Sequence, residues 1–226
     1  MTAGLRRAAL ALVALAVVVA TGCGSTTTVT VTVTATTTPA TNAVRVYFMR
    51  DGKVGPVARE LAGTDRASLL AALDAGPTDA ERALGFSKGT GKERTAEEVY
   101  TLSQFAPTRA VAVGGRSYTR ADFEDLTPAI LVEAPLPFAT VSAPLRLRGT
   151  ANTFEATFEY ELLDATGKAL AKHFVTATSG SGTRGTYDVA IPFGPPGGTG
   201  TLFVYELSAK DGSRIHQVEV PLAFIR

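Results

Sequence analysis

The run Phe154-Glu155-Ala156-Thr157-Phe158-Glu159-Tyr160-Glu161-Leu162 alternates apolar and polar residues over its whole length. Successive side chains of a strand point to opposite faces, so this spacing gathers the apolar set on one face and leaves the polar set on the other. Such a face needs a second layer to cover it, and the surrounding residues supply one. Ile130-Leu131-Val132 before Pro135, Leu145-Arg146-Leu147-Arg148 before Gly149, Leu170 to Ala177, Tyr187 to Ile191, Thr201 to Leu207 and Val218 to Leu222 read as further short strands. Turn signals stand at Asp164 to Gly167 and at Asp211-Gly212, where the second pair suits a hairpin. Residues 127–226 are therefore expected to form an all-β sandwich.

Residues 43–126 are built differently. Val44 to Met49 has strand composition, Asp51-Gly52 is a turn signal, and Val54 to Arg59 completes a hairpin. Thr64 is placed to cap a helix carrying Leu69, Leu70 and Leu73 on one face, and Gly76-Pro77 stops it. Thr78-Asp79-Ala80-Glu81 has the spacing of a capping box, as does Thr95-Ala96-Glu97-Glu98 before a helix through Val99, Leu102 and Phe105. Arg109 to Val113 reads as another strand and Thr119 to Leu126 as a short capped helix. The expectation is an α+β domain, a small sheet with helices, followed by the sandwich. Cys23 is the only cysteine, so packed cores must hold both regions without an internal disulfide.

At the start of the chain, Arg6 and Arg7 precede an apolar run from Ala8 to Ala20, shorter than the ~20 residues of a membrane-crossing helix. Residues 1–22 read as a leader. Ala20, Thr21 and Gly22 ahead of Cys23 resemble the lipobox of bacterial lipoproteins, with Ala20 where Leu is usual. The resemblance implies diacylglycerol on the Cys23 thiol, cleavage before it, and a lipid-anchored place on the extracytoplasmic face of the cell membrane. An ordinary secretory leader is the alternative. Residues 23–42, nearly all Thr, Val and Ala with one proline at Pro39, suit a solvated tether, although Val29 to Thr34 also alternates as a strand does.

Two further resemblances rest on quoted residues. Tyr47-Phe48, Arg59, Leu69-Leu70-Ala71-Ala72-Leu73, then Gly76-Pro77-Thr78 with Glu81 resemble the start of the sporulation and spore germination domain, GerMN. The strands that follow in that family are missing, which implies a shortened, truncated relative. Pro135 to Pro144 with Val141-Ser142, Gly149-Thr150-Ala151-Asn152, Gly167 and Glu206-Leu207-Ser208-Ala209-Lys210-Asp211-Gly212-Ser213 resemble the immunoglobulin-like domain of bacterial spore germination. About seven short strands is also the number such a sandwich uses.

A reactive centre does not emerge from the residue patterns. His173 and His216, the only histidines, lie in expected strands without a second ligand at helix spacing. Ser87 to Lys92 lacks the glycine and the Ser or Thr that a phosphate loop needs. Asp122, Glu124 and Asp125 suit a solvated helix start, and Asp211-Gly212-Ser213 lacks the alternating oxygen ligands of a calcium loop. Ser208, Asp211 and His216 have no reason to converge as a triad. The net charge of +1 becomes −1 without Arg6 and Arg7, and the basic residues are scattered, which excludes a nucleic-acid stripe.

One surface remains as a candidate. Glu155, Glu159 and Glu161 form an acidic row, with Arg146 and Arg148 as partners if the two strands are neighbours. The expected function is that of a non-catalytic, cofactor-free envelope lipoprotein. Its two domains act as interaction modules for another envelope protein or a wall polymer. The alternatives are an envelope lipoprotein that binds a small ligand or glycan, and an exported hydrolase.

Overall fold

The structure is a computed structural model that describes residues 41–225; the expected leader, Cys23 and residues 23–40 of the expected tether lie outside the described residues, while Asn42, placed at the end of that tether, already belongs to the first strand. Strands β1 (Asn42–Arg50) and β2 (Lys53–Leu61) form an antiparallel hairpin. Asp51 and Gly52 turn it with φ of 51° and 71°, the left-handed pair that a two-residue hairpin turn requires. One face of the hairpin, Val44, Val46, Phe48 and Val57, packs on Leu69 and Leu73 of α1 (Arg66–Ala75). The other face, Tyr47, Met49 and Val54, packs on Ala96, Val99 and Tyr100 of α3 (Lys92–Leu102). Between the helices lie the short α2 (Asp79–Ala83) and β3 (Phe86–Ser87).

The helix starts repay comparison with the sequence. Thr78 and Glu81 close their capping box on α2 as expected. Asp65, one residue beyond Thr64, caps α1, its carboxylate accepting from Ala67 N at 3.0 Å and Ser68 N at 3.1 Å. The expected box at Thr95 is absent, because α3 begins at Lys92 and Thr95 already lies inside it. The helix also ends before Phe105, which is 62% exposed.

Glu97, inside that stretch, serves the sheet instead, together with Thr101 and Gln104. Strand β3 pairs with β1 only at Met49 and Arg50, so among the described residues most of that edge of β1 has no neighbouring strand. Side chains of α3 and the turn after it occupy the gap. Glu97 accepts from Met49 N at 3.2 Å, Thr101 from Tyr47 N at 3.0 Å, and Gln104 from Arg45 N at 2.8 Å while donating to Arg45 O at 2.9 Å. Spacings of four and three put these residues on one helical face, and the alternate residues 45, 47 and 49 turn their backbones to the same edge. A polar helix face thus replaces a strand and closes an edge that would invite pairing with another chain. We expect Gln104→Leu, which removes both partners of Arg45, to cost about 1–3 kcal/mol in urea unfolding.

A small hairpin of β4 (Val111–Val113) and β5 (Arg116–Tyr118) and a 3-10 segment, Arg120–Leu126, lead to the sandwich. One of its sheets is β11-β8-β6 and the other β10-β9-β12-β13-β7. The first is formed by β6 (Ile130–Ala134), β8 (Leu145–Ala151) and β11 (Gly185–Ile191). The second is formed by β7 (Thr140–Val141), β9 (Thr157–Asp164), β10 (Ala169–Thr176), β12 (Gly198–Leu207) and β13 (Arg214–Phe224). The alternation places Leu145 and Leu147 opposite Phe158, Leu162, Leu202, Val204 and Val220 in one core. The organising strand is shorter than expected, because Phe154–Ala156 form a 3-10 turn with positive φ at Glu155 and Ala156. Phe154 is consequently 60% exposed rather than buried.

Candidate functional site

The two regions meet over a buried charged cluster. Within β6 the pairing with β8 skips a residue between Val132 and Ala134, and the residue set aside by this bulge is Glu133. Its carboxylate accepts from Arg120 Nη1 at 2.8 Å and from the Tyr47 hydroxyl. Arg120 also donates to Ser103 Oγ at 2.9 Å and stacks on the Tyr47 and Tyr100 rings, with centroids at 5.3 and 4.6 Å. Burial alone would push the Glu133 carboxyl up. The Arg120 charge and the hydrogen bonds from Tyr47 and Arg120 outweigh it and hold Glu133 below the ordinary carboxylate value. Burial moves the Tyr47 and Tyr100 hydroxyls the other way, well clear of ionisation at neutral pH.

A second tie lies nearby. Arg184 holds Glu124 through Nε and Nη2, both at 2.8 Å at their closest, and donates to Pro128 O at 2.9 Å. Asn152 adds a bond to Glu124 at 3.0 Å. Leu131 of β6 packs into the same apolar cluster as Tyr47, Val99, Tyr100 and Phe123. Ion pairs, stacking and apolar contact therefore fix the junction, and the surfaces on either side of it are preset.

Beside this junction is a cleft of about 200 Å³, lined by the turn end of the first hairpin, Phe86, the β6 strand and residues 216–220 of β13. Its walls are largely apolar, including Pro56, Ile130, Pro135 and Val218, with Arg50 and Lys53 on one side and His216 on the other. His216 has a φ of 52° and its Nδ1 lies 2.8 Å from the Glu206 carboxylate, which also accepts from Phe154 N at 2.7 Å.

The five charged residues of the expected surface are not brought together. Strands β8 and β9 belong to different sheets, so Arg146 and Arg148 cannot pair with the glutamates. Arg146 instead binds Asp188 of β11 at 2.7 and 2.5 Å, and Arg148 stands opposite Asp188 in register. Glu155 sits in the 3-10 turn. Glu159 accepts from the Tyr205 hydroxyl at 3.0 Å, and Glu161 binds Arg214 at 2.5 Å, which lies over the Tyr205 ring. Neither do Ser208, Asp211 and His216 converge, since Asp211 binds Ser213 and His216 binds Glu206. Asp122, Glu124 and Asp125 disperse to a cap, to Arg184 and to Lys92.

Sequence reasoning missed Arg120, Glu133, Glu206 and Arg184. The usable signal was Glu133, a lone charge inside an apolar strand, which must have a partner if it is buried. The residues of the first resemblance do meet: Arg59 binds Glu81 at 2.6 and 2.7 Å and Gly76 O at 3.1 Å, while Thr78 N donates to Glu81 at 2.8 Å.

Residues 129–213 match the model of a family described as the immunoglobulin-like domain of bacterial spore germination. The chain is mostly β, in keeping with that match. The crystal structure of CopC from Methylosinus trichosporium OB3b is similar at 17% identity and a TM-score of 0.29, over 42% of this chain and 92% of that one. No curated protein matches the sequence.

Proposed function

We propose that the chain is a lipid-anchored, non-catalytic envelope protein in which a shortened, α+β GerMN-like domain at 43–126 and the immunoglobulin-like domain at 127–226 form one docking unit. Its partner is another envelope protein or a wall polymer. The observation that carries this reading is the ion-paired junction through Arg120 and Glu133, since a tandem fixed in this way presents preset surfaces rather than a hinge. The latch of Arg59, Glu81, Gly76 and Thr78 supports the GerMN-like assignment, because it gives one physical reason for the residues that carry the resemblance.

Anchoring rests on Cys23, where two acyl chains supply about 0.8 kcal/mol per buried methylene, the combination that stable anchoring needs. Replacing Cys23 by serine is expected to release the chain from membranes in a carbonate wash; a variant that stays bound would contradict the anchor. A small-ligand or glycan site would call for a groove where strands of the first domain are missing. That edge is covered by Glu97, Thr101 and Gln104. The cleft lies elsewhere, and its volume of about 200 Å³ falls below the ~300–1,000 Å³ of usual small-molecule sites.

A further inference from the structure

The cleft sits where two sheet edges come side by side. Among the described residues, β6 ends the three-stranded sheet, and β13 has a strand on its outer side only at Ala223 and Phe224, which pair with β7. Between these edges and the first hairpin, no strand of the described residues lies beside part of β13. The backbone there is also re-aimed. The β12–β13 register moves from Val204↔Val218 to Glu206↔Ile215, so His216 and Gln217 together oppose Tyr205. Bulges of this kind bend a strand and increase its twist. Glu206, through His216 Nδ1, holds the bulge in place.

Two groups already occupy neighbouring positions along this edge. Phe138 N donates to Pro221 O at 2.7 Å, and Arg50 Nη1 donates to Glu219 O at 2.9 Å. Arg50 thus stands where the N–H of an adjoining strand would be. Its carboxylate neighbour, Asp51, is 3.9 Å away and 90% exposed, a weak hold on the guanidinium. The volume limits what can enter. At about 200 Å³ it admits side chains rather than a folded element.

We propose that the cleft receives an extended peptide segment of a partner protein, added as a strand beside β13 at Gln217–Glu219. One or two apolar side chains of the segment enter between Pro56, Phe86 and Pro135. Main-chain bonds to a free edge supply affinity in this mode and side-chain pockets supply selectivity. The incoming backbone replaces Arg50 at Glu219 O, and the released guanidinium, which stands over the Phe86 ring at 5.5 Å, selects a segment bearing a carboxylate next to its apolar residue; Lys53 is already engaged with Asp125 O at 2.6 Å. The inference rests on the docking reading and names its partner class.

The test pans a phage-displayed random peptide library against the detergent-solubilised full chain. Enriched peptides are expected to combine apolar and acidic residues and to slow amide exchange at Gln217 and Glu219, the positions of this stretch that face the open edge. N-methylation of alternate peptide residues should abolish binding while the intervening positions tolerate it. Gln217→Trp, at an exposed position in the cleft mouth, should weaken binding about tenfold or more without moving the melting temperature, a tenfold loss being 1.4 kcal/mol. The proposal is overturned by a library that yields no binder, by N-methylation tolerated everywhere, or by wall fragments protecting the same amides in place of peptide. Peptides that protect another surface would remove the cleft while leaving the docking reading intact.

Discussion

Arg120→Ala is expected to lower the folding free energy by about 3–5 kcal/mol in urea unfolding, the largest loss among single substitutions at the junction. The change removes the cation that Glu133 faces at 2.8 Å, with both side chains close to fully buried, and it strips one partner from two tyrosine rings. An unpaired buried carboxylate is the costly part. Converting both members to apolar residues of similar volume, Arg120→Met with Glu133→Leu, should therefore recover part of the loss, the remainder being the cost of leaving the buried Tyr47 and Ser103 hydroxyls without these partners.

The pH dependence gives a second readout with a definite sign. Glu133 is held below its ordinary value in the folded chain, so its contribution is complete above the unfolded value near ~4.3 and is lost as pH falls through the folded value. Glu124 and Glu81, held down by Arg184 and Arg59 against their burial, act in the same direction. Glu97, raised by burial, opposes them. In Arg120→Ala the cation that lowers Glu133 is gone and burial dominates, so acidification should relieve the variant at that site while it weakens the parent.

Gly149→Ala should cost about 3 kcal/mol or more, at the upper end for overpacking a well-filled site. A Cβ at this position would overlap the Leu131 carbonyl oxygen and lie 2.6 Å from the Tyr187 hydroxyl. Leu131 cannot yield, because β6 is fixed by its ladder with β8, and Tyr187 donates to that same carbonyl at 2.9 Å. Glycine is required here for close approach of three strands, and a fall in melting temperature on the single methyl would show it. A variant as stable as the parent would mean that the strands are farther apart.

The sandwich was legible wherever alternation governed burial. Phe158 to Leu162, Leu145 to Leu147 and Leu202 to Val204 follow the period of two, and the Asp51-Gly52 and Thr78–Glu81 signals act locally and formed as read. What escaped was set by contacts remote in sequence. Phe154 looked like the first core residue of its strand, but its backbone is held by Glu206 from another strand. Thr95 and Glu98 had the spacing of a helix start, yet the helix begins earlier and Glu97 between them bonds the edge of β1. Arg146 and Arg148 lost their expected partners because adjacent strands in the chain entered opposite sheets, a choice that spacing alone does not encode.

Calorimetry of the full chain bears most directly on whether the two regions act as one body. A cluster shared through Leu131 and Phe123, the buried Arg120–Glu133 pair and the half-exposed Arg184–Glu124 pair predict a single transition whose calorimetric and van't Hoff enthalpies agree. Two separate transitions, with the sandwich persisting after the first region has melted, would contradict a preset docking unit.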